Sequence, residues 1–259
     1  MLTTLVLLAC LLVVSFQDEK APPQEQVSST CETLMKALEE NASVEDALRS
    51  LRAAVEVVDA RVIEVIDRKG LRHDDPAVRD AAVEVLGRMD HLAALKALHD
   101  ALKRDKKELQ DAPPRYANLL RAIARHGDES SIPDLVEGAF QSTDRLVITA
   151  RILGLGRIRS PKSVDELIRL VRSSHRSWDG SQMPDFRLAL VALTGVDKGT
   201  DRQLWINWYG DHKGKIEVAA VPPELPRDLR KRWNSYWGET TEQDKKDDKD
   251  GGKGTESDR

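Results

Sequence analysis

The amino-acid sequence predicts an all-α fold, a short α-solenoid in which antiparallel helix hairpins stack side by side. Three observations predict it. Apolar residues recur at three- and four-residue spacing through most of the chain, which gathers them on single helix faces. A hairpin layout over residues 74–102 returns at 114–140 and again at 143–171. The composition, 40% apolar and 32% charged but only 4% aromatic over 259 residues, suits units that bury one stripe against their neighbours.

At the N-terminus, residues 2–16 form an apolar run with no charge before Asp18, too short for a bilayer-spanning helix of about 20 residues. It predicts an export signal over residues 1–15, cut after Ser15, although no Lys or Arg precedes the run. In a competing reading Leu7-Leu8-Ala9-Cys10 is a lipoprotein box and a lipidated Cys10 keeps the protein on a membrane. Apolar residues continue past Cys10 to Val14, which favours cleavage. Both readings place the protein outside the cytoplasm, in the periplasm or cell envelope. If Cys10 leaves with the signal, Cys31 is the sole thiol and no intramolecular disulfide forms; a buried helical position is expected for it. Residues 16–30, rich in Pro, Gln, Glu and Ser, are expected to form a flexible spacer.

Helical repeats are predicted over residues 31–195. Met35 and Leu38 make a first stripe that Asn41 closes, and Val44, Leu48, Leu51, Val55, Val58 and Val62 follow at helical spacing with a break near Asp59. Asn41-Ala42-Ser43 also fits a glycosylation sequon, but a helix-end role is preferred for so short a motif. In the next hairpin Asp75 and Pro76 are the N-cap and first-turn residues of a helix whose stripe is Val78, Ala82, Val85, Leu86 and Met89. A tight connection at Gly87-Arg88-Met89-Asp90 leads to Leu92, Leu95, Leu98 and Leu102. The second unit has Tyr116, Leu119, Leu120 and Ile123, closes at Gly127, and returns with Ile132, Leu135, Val136 and Phe140. The third places Leu146, Ala150 and Leu153 on one face and Ile148, Ile152 and Leu155 on another, the mark of a helix buried on two sides. Ser160-Pro161 then opens a helix carrying Val164, Leu167, Ile168 and Val171.

The segment from Asp74 to Gly87, with Asp, a Val78-Arg79 pair, Ala81-Ala82 and Leu86-Gly87, resembles a HEAT-type (HEAT/armadillo-like) repeat. The resemblance extends over about residues 43–195, by motif in this first unit and by layout in the later ones; the second lacks the Val-Arg pair and enters through Pro113-Pro114. It implies an α-solenoid that serves as a protein-binding scaffold.

Residues 196–237 are expected to form a Trp-rich C-terminal cap. All five tryptophans, Trp178, Trp205, Trp208, Trp233 and Trp237, lie in the last third of the chain. The run Leu193-Thr194-Gly195-Val196-Asp197-Lys198-Gly199-Thr200-Asp201 with Trp205-Ile206-Asn207-Trp208-Tyr209 resembles the closing segment of exported bacterial HEAT-repeat proteins. A capping box of Thr200 and Gln203 is expected, with Trp205, Trp208 and Tyr209 folded onto the last hairpin. After Pro226, Leu229, Trp233, Tyr236 and Trp237 share a face opposite Arg227, Arg230, Lys231 and Arg232. Sealing the end of the stack is the expected role of these rings; the alternative is a carbohydrate- or peptide-binding platform, which requires exposed coplanar rings. Residues 238–259, with almost nothing apolar, are expected to be a disordered charged tail.

Eight acidic and five basic residues in that tail account for most of the formal net charge of −4, so the rest lacks the basic excess of a nucleic-acid binder. Signatures of a zinc protease, a serine nucleophile elbow and a phosphate-binding loop are missing from the sequence. Gly154-Leu155-Gly156 lies late in a helix with no strand before it, which predicts a helix-terminus role and not a dinucleotide loop. The six histidines fall at separate places and predict no metal site, and no cofactor is expected. The sequence thus predicts a non-enzymatic, exported scaffold that binds a protein or peptide on a concave surface lined by the second helices of the hairpins. Lys96, His99, Asp134 and Arg169 are its candidate contacts. A membrane is a partner only through lipidated Cys10, and a HEAT-like enzyme or lyase subunit is the alternative of another class.

Overall fold

A computed structural model describes residues 21–139, 141–174 and 180–241. The export signal, Cys10, Phe140, His175, Trp178 and the tail beyond residue 241 lie outside the described residues. Within them the chain is helical throughout its regular structure: α1 (Gln24–Ala37), α2 (Val44–Ala54), α3 (Ala60–Val65), α4 (Pro76–Leu86), α5 (Leu92–Arg104), α6 (Lys106–Asp111), α7 (Pro113–Arg125), α8 (Ile132–Val136), α9 (Arg145–Arg157), α10 (Pro161–Ser174), α11 (Met183–Thr194), α12 (Arg202–His212) and α13 (Arg227–Trp237). No described helix is long and apolar enough to cross a membrane.

Caps written into the sequence start many of these helices. Asp59, Asp75, Asp144 and Asp201 each accept a hydrogen bond from the backbone N–H two residues on, the donors a helix leaves unsatisfied at its start. Ser160 Oγ does the same for the Lys162 N–H at the entry to α10. Asp201 replaces the expected Thr200–Gln203 capping box: it reaches both the Gln203 and Leu204 N–H groups, and the Gln203 side chain bonds Asn207 instead. Ala112, kept out of helical backbone by the proline that follows it, separates the short polar helix α6 from α7.

Hairpins α2/α3, α4/α5, α7/α8 and α9/α10 stack in order, with α11 and α12 extending the first-helix and second-helix rows. One continuous apolar core runs through all of them, from Val27 to Trp237. α1 packs on both α2 and α3 and closes the N-terminal end. Helical structure therefore begins at Gln24, inside the expected spacer, because Val27 is fully buried and Leu34 with it. Met35, expected in that stripe, is 45% exposed; Val27, Leu34 and Leu38 form it instead. Cys31 is half-buried, and partial burial raises its thiol pKa. Leu92 and Leu146, each expected on a core stripe, are 77% and 52% exposed in the first turns of α5 and α9, before the neighbouring helices close over them.

The first-helix row is closely packed at its glycines. A Cβ built on Gly87 would stand 2.8 Å from Ala122 Cβ of α7, and one on Gly156 would stand 2.8 Å from Ala189 Cα and Cβ of α11. Gly154 faces the other way, 3.0 Å from Ala124 Cβ by the same construction. The paired glycines are thus what lets α9 sit between α7 and α11, in addition to their place in its last turn.

The second hairpin departs most from expectation. Its returning helix α8 stops at Val136, because Glu137 is extended and Gly138 takes a left-handed conformation with φ 64°. The carbonyls freed by this early stop are met by Arg151, 1% exposed on α9, whose guanidinium donates to Leu135 O at 2.7 Å and Asp134 O at 3.2 Å. It also donates to Tyr116 Oη at 2.6 Å and lies over the Tyr116 ring. Burial pulls this guanidinium's pKa down, and no carboxylate pairs with it among the described residues. Arg151→Met should cost about 2 kcal/mol by leaving these acceptors dry and unpaired, read as a lower denaturant midpoint; an unchanged midpoint would show that water replaces the guanidinium.

Candidate interaction surface

The four residues singled out from the sequence do not form one surface. Lys96 and Arg169 are exposed and pair along their own helices with Asp100 and Glu166. His99 and Asp134 are mostly covered and bond each other across the first and second hairpins. A carboxylate only accepts, so His99 Nδ1 donates to Asp134, and Nε2 bonds the buried Ser131 hydroxyl at 3.1 Å. This pair joins neighbouring hairpins. The other described histidines are also structural: His73 and His91 accept backbone N–H groups at the starts of α4 and α5, and His212 bonds Trp208 O.

His126 Nε2–H donates to Leu86 O at 3.1 Å, tying α7 to α4. Burial is the main cause of its lowered pKa. Both folded and unfolded forms are neutral well above the usual value of 6.5. As the pH falls through 6.5 the unfolded chain takes a proton first, so stability should drop below that point. His126→Gln should flatten the fall in melting temperature over the same range, and an equal slope in both proteins would rule the residue out as its source.

The C-terminal aromatics divide into two groups. On α12, Trp205 and Trp208 are buried and meet edge to face at 86°, and Trp205 Nε1 donates to Gly199 O at 2.8 Å. Tyr209 Oη donates to Asp165 of α10 at 2.7 Å, so this face does close over the last hairpin. α13 does not extend the stack. It lies back across the first-helix face: Asp228 meets Arg187 of α11, Tyr236 lies under Arg121 of α7, and Trp237 lies under Arg157 of α9. The fully buried Asp185 carboxylate anchors it, accepting from Thr149 and pairing with Arg145 and with Arg232 of α13. Trp233 and Trp237 are tilted by 58°, so no exposed coplanar ring pair exists among the described tryptophans.

Where α13 ends, the same face continues uncovered. A groove of about 530 Å³ runs over α2, α4 and α7, with an apolar floor that includes Leu48, Val55, Ala81 and Val83. Arg52, Arg88, Arg121 and Arg125 stand along it, with Asp80 and Glu84 as its acids. Asp80 is already held by Arg115 and Glu84 by Arg88. Arg88, Arg125 and Arg157 occupy matching positions at the ends of successive first helices, in Leu86-Gly87-Arg88, Ile123-Ala124-Arg125 and Leu155-Gly156-Arg157. All three line the recess into which Trp237 and Glu239 fit. Arg125 donates to Trp237 O at 2.6 Å, and Arg157 makes a two-armed pair with Glu239 at 2.8 and 3.1 Å. Burial, with Arg88 and Arg121 close by, depresses the Arg125 pKa. This repeated Arg is legible in the sequence once the hairpins are aligned on the small residue before it, Gly87, Ala124 and Gly156, whereas Lys96, His99, Asp134 and Arg169 all lie on the opposite row.

The fold and this surface define a class, a two-layer α-solenoid that presents one helical face to its surroundings. The family model for HEAT repeats matches residues 107–179, and this match and the all-helical fold together support a HEAT-repeat protein. The match lies on the second and third hairpins, those recognisable from the sequence by layout, and not on the motif-bearing segment from Asp74 to Gly87. No curated protein matches the chain.

Proposed function

We propose that the protein is an exported scaffold that holds a segment of another protein on its first-helix face. HEAT repeats suggest a protein-interaction scaffold as the general role. The observation that carries the finer reading is that the C-terminal half of this face is occupied by a helix, α13, while the half over α2, α4 and α7 is open, grooved and apolar-floored. A face already held rigid by helix packing loses little freedom on binding, which favours a preformed docking surface. The second-helix face is the weaker choice because His99 and Asp134 satisfy each other.

Export rests on the apolar run over residues 2–16. Mass spectrometry of the mature chain tests it: an N-terminus at Phe16 or a lipid on Cys10 fits, and an intact Met1 does not. For binding, a photo-crosslinking residue placed at Ala81 in the full chain, in its own cells, should trap another protein. Adducts only from Lys96 or Arg169 would move the site to the second-helix face. No adduct from any of these positions would end the scaffold reading.

A further inference from the structure

We propose that the open groove over α2, α4 and α7 takes an acidic protein segment bearing an aromatic residue close to a carboxylate. This rests on the scaffold reading and specifies the chemistry of the partner.

The chain's own C-terminal segment displays the mode of recognition. Trp237 puts its ring under Arg157 at 5.3 Å, its carbonyl on Arg125, and, two residues on, the Glu239 carboxylate on Arg157. A planar guanidinium suits both contacts, stacking on a ring and pairing in two-armed fashion with a carboxylate. Arg88 is the next member of the same series, and its one carboxylate is the exposed Glu84 of its own helix, at 2.6 Å. Arg52 and Arg121 have no ion pair among the described residues, so the groove holds a positive excess that the folded chain leaves uncompensated. The apolar floor supplies the surface an aromatic or aliphatic side chain would cover. A basic or purely apolar segment would lack one half of this match.

The probe is a fluorescent synthetic peptide with repeated Trp-Gly-Glu units, compared with the same peptide carrying Lys for every Glu, against the full chain by anisotropy. Binding of the acidic peptide that weakens with salt and falls about tenfold or more in Arg52→Glu/Arg88→Glu is expected. Arg52→Lys/Arg88→Lys should retain part of it, and all variants should melt with the parent, because both positions are exposed. Equal binding of the Lys peptide, or no loss on charge reversal, would overturn the proposal. So would acidic-peptide binding that emerges only when residues 242–259 are deleted, which would make the chain's own tail the occupant. If the acidic peptide does not bind while Ala81 still crosslinks a protein in cells, this chemistry is wrong and the scaffold reading stands; if both fail, both are wrong.

Discussion

Gly156→Val should lower the melting temperature by about 10 °C, corresponding to about 3 kcal/mol in a chain of this size. The Cβ alone would stand 2.8 Å from Ala189 Cα and Cβ, and the nearest atoms include main chain of α11, which cannot swing aside as a long side chain can. Nor can α9 retreat, since Gly154 brings its other side to within a comparable distance of Ala124 and Leu135. Two helices must separate or α9 must tilt, and either move opens the core on both sides. Against a total stability of about 5–15 kcal/mol, that loss is severe. Gly210, in the last turn of α12 with nothing within 4 Å of its would-be Cβ, is the control: Gly210→Ala should stabilise by up to about 1 kcal/mol. Thermal unfolding followed by circular dichroism distinguishes them. A Gly156→Val protein that melts with the parent would contradict the close approach of α9 and α11.

Trp237→Ala should release α13 while leaving the stack beneath it folded. Truncating a buried tryptophan removes about 3–5 kcal/mol. What remains to hold α13 is one other buried side chain, Leu229, the half-buried Trp233 and Tyr236, and ion pairs such as Arg157–Glu239 and Arg187–Asp228. Partly exposed pairs of that kind contribute about 0–1 kcal/mol each. The Arg232–Asp185 contact is the strongest of them, with Asp185 fully buried, but it keeps Arg145 and Thr149 if α13 leaves. Hydrogen exchange should therefore speed up across residues 227–237 and not in α9, and proteases should gain access to residues 213–226. Trp237→Phe should be tolerated, at about 1.5 kcal/mol or less, because Trp237 Nε1 makes no hydrogen bond that phenylalanine would lose. Unchanged protection of α13 in Trp237→Ala would mean that its ion pairs hold it unaided. The same variant uncovers Arg125 and Arg157, so it also lengthens the arginine-lined trough.

Elements set by short-range chemistry were readable in advance. Asp75-Pro76 and Ser160-Pro161 open helices because a side-chain acceptor and a fixed proline φ act within one turn. The break near Asp59 falls where Asp59 caps α3, and Gly127 closes α7 with a φ of 67°. α6 gives no periodic signal because Lys106–Asp111 is short and offers one apolar residue, Leu109. Apolar spacing to residue 140 predicts a longer α8, but the chain turns at Gly138.

The site was less legible. Lys96, His99, Asp134 and Arg169 are polar residues on second helices, and nothing local separates an exposed one from one bonded across the stack, as His99 and Asp134 are. Arg151 is a signal of a buried polar site in the sequence: a single charged residue in the Val147–Leu155 run of a helix whose two apolar faces predict burial on both sides.

Helix periodicity, caps and hairpin order are properties of residues within a few positions of one another, and the amino-acid order was sufficient to establish them and the stacked all-α class. Where α13 comes to rest depends on contacts between residues far apart in the chain. Arg125 and Trp237 are 112 positions apart. The spacing of helices within the first-helix row follows from whether a glycine meets an alanine across a helix interface, as Gly156 meets Ala189, and that match exists only once the helices have packed.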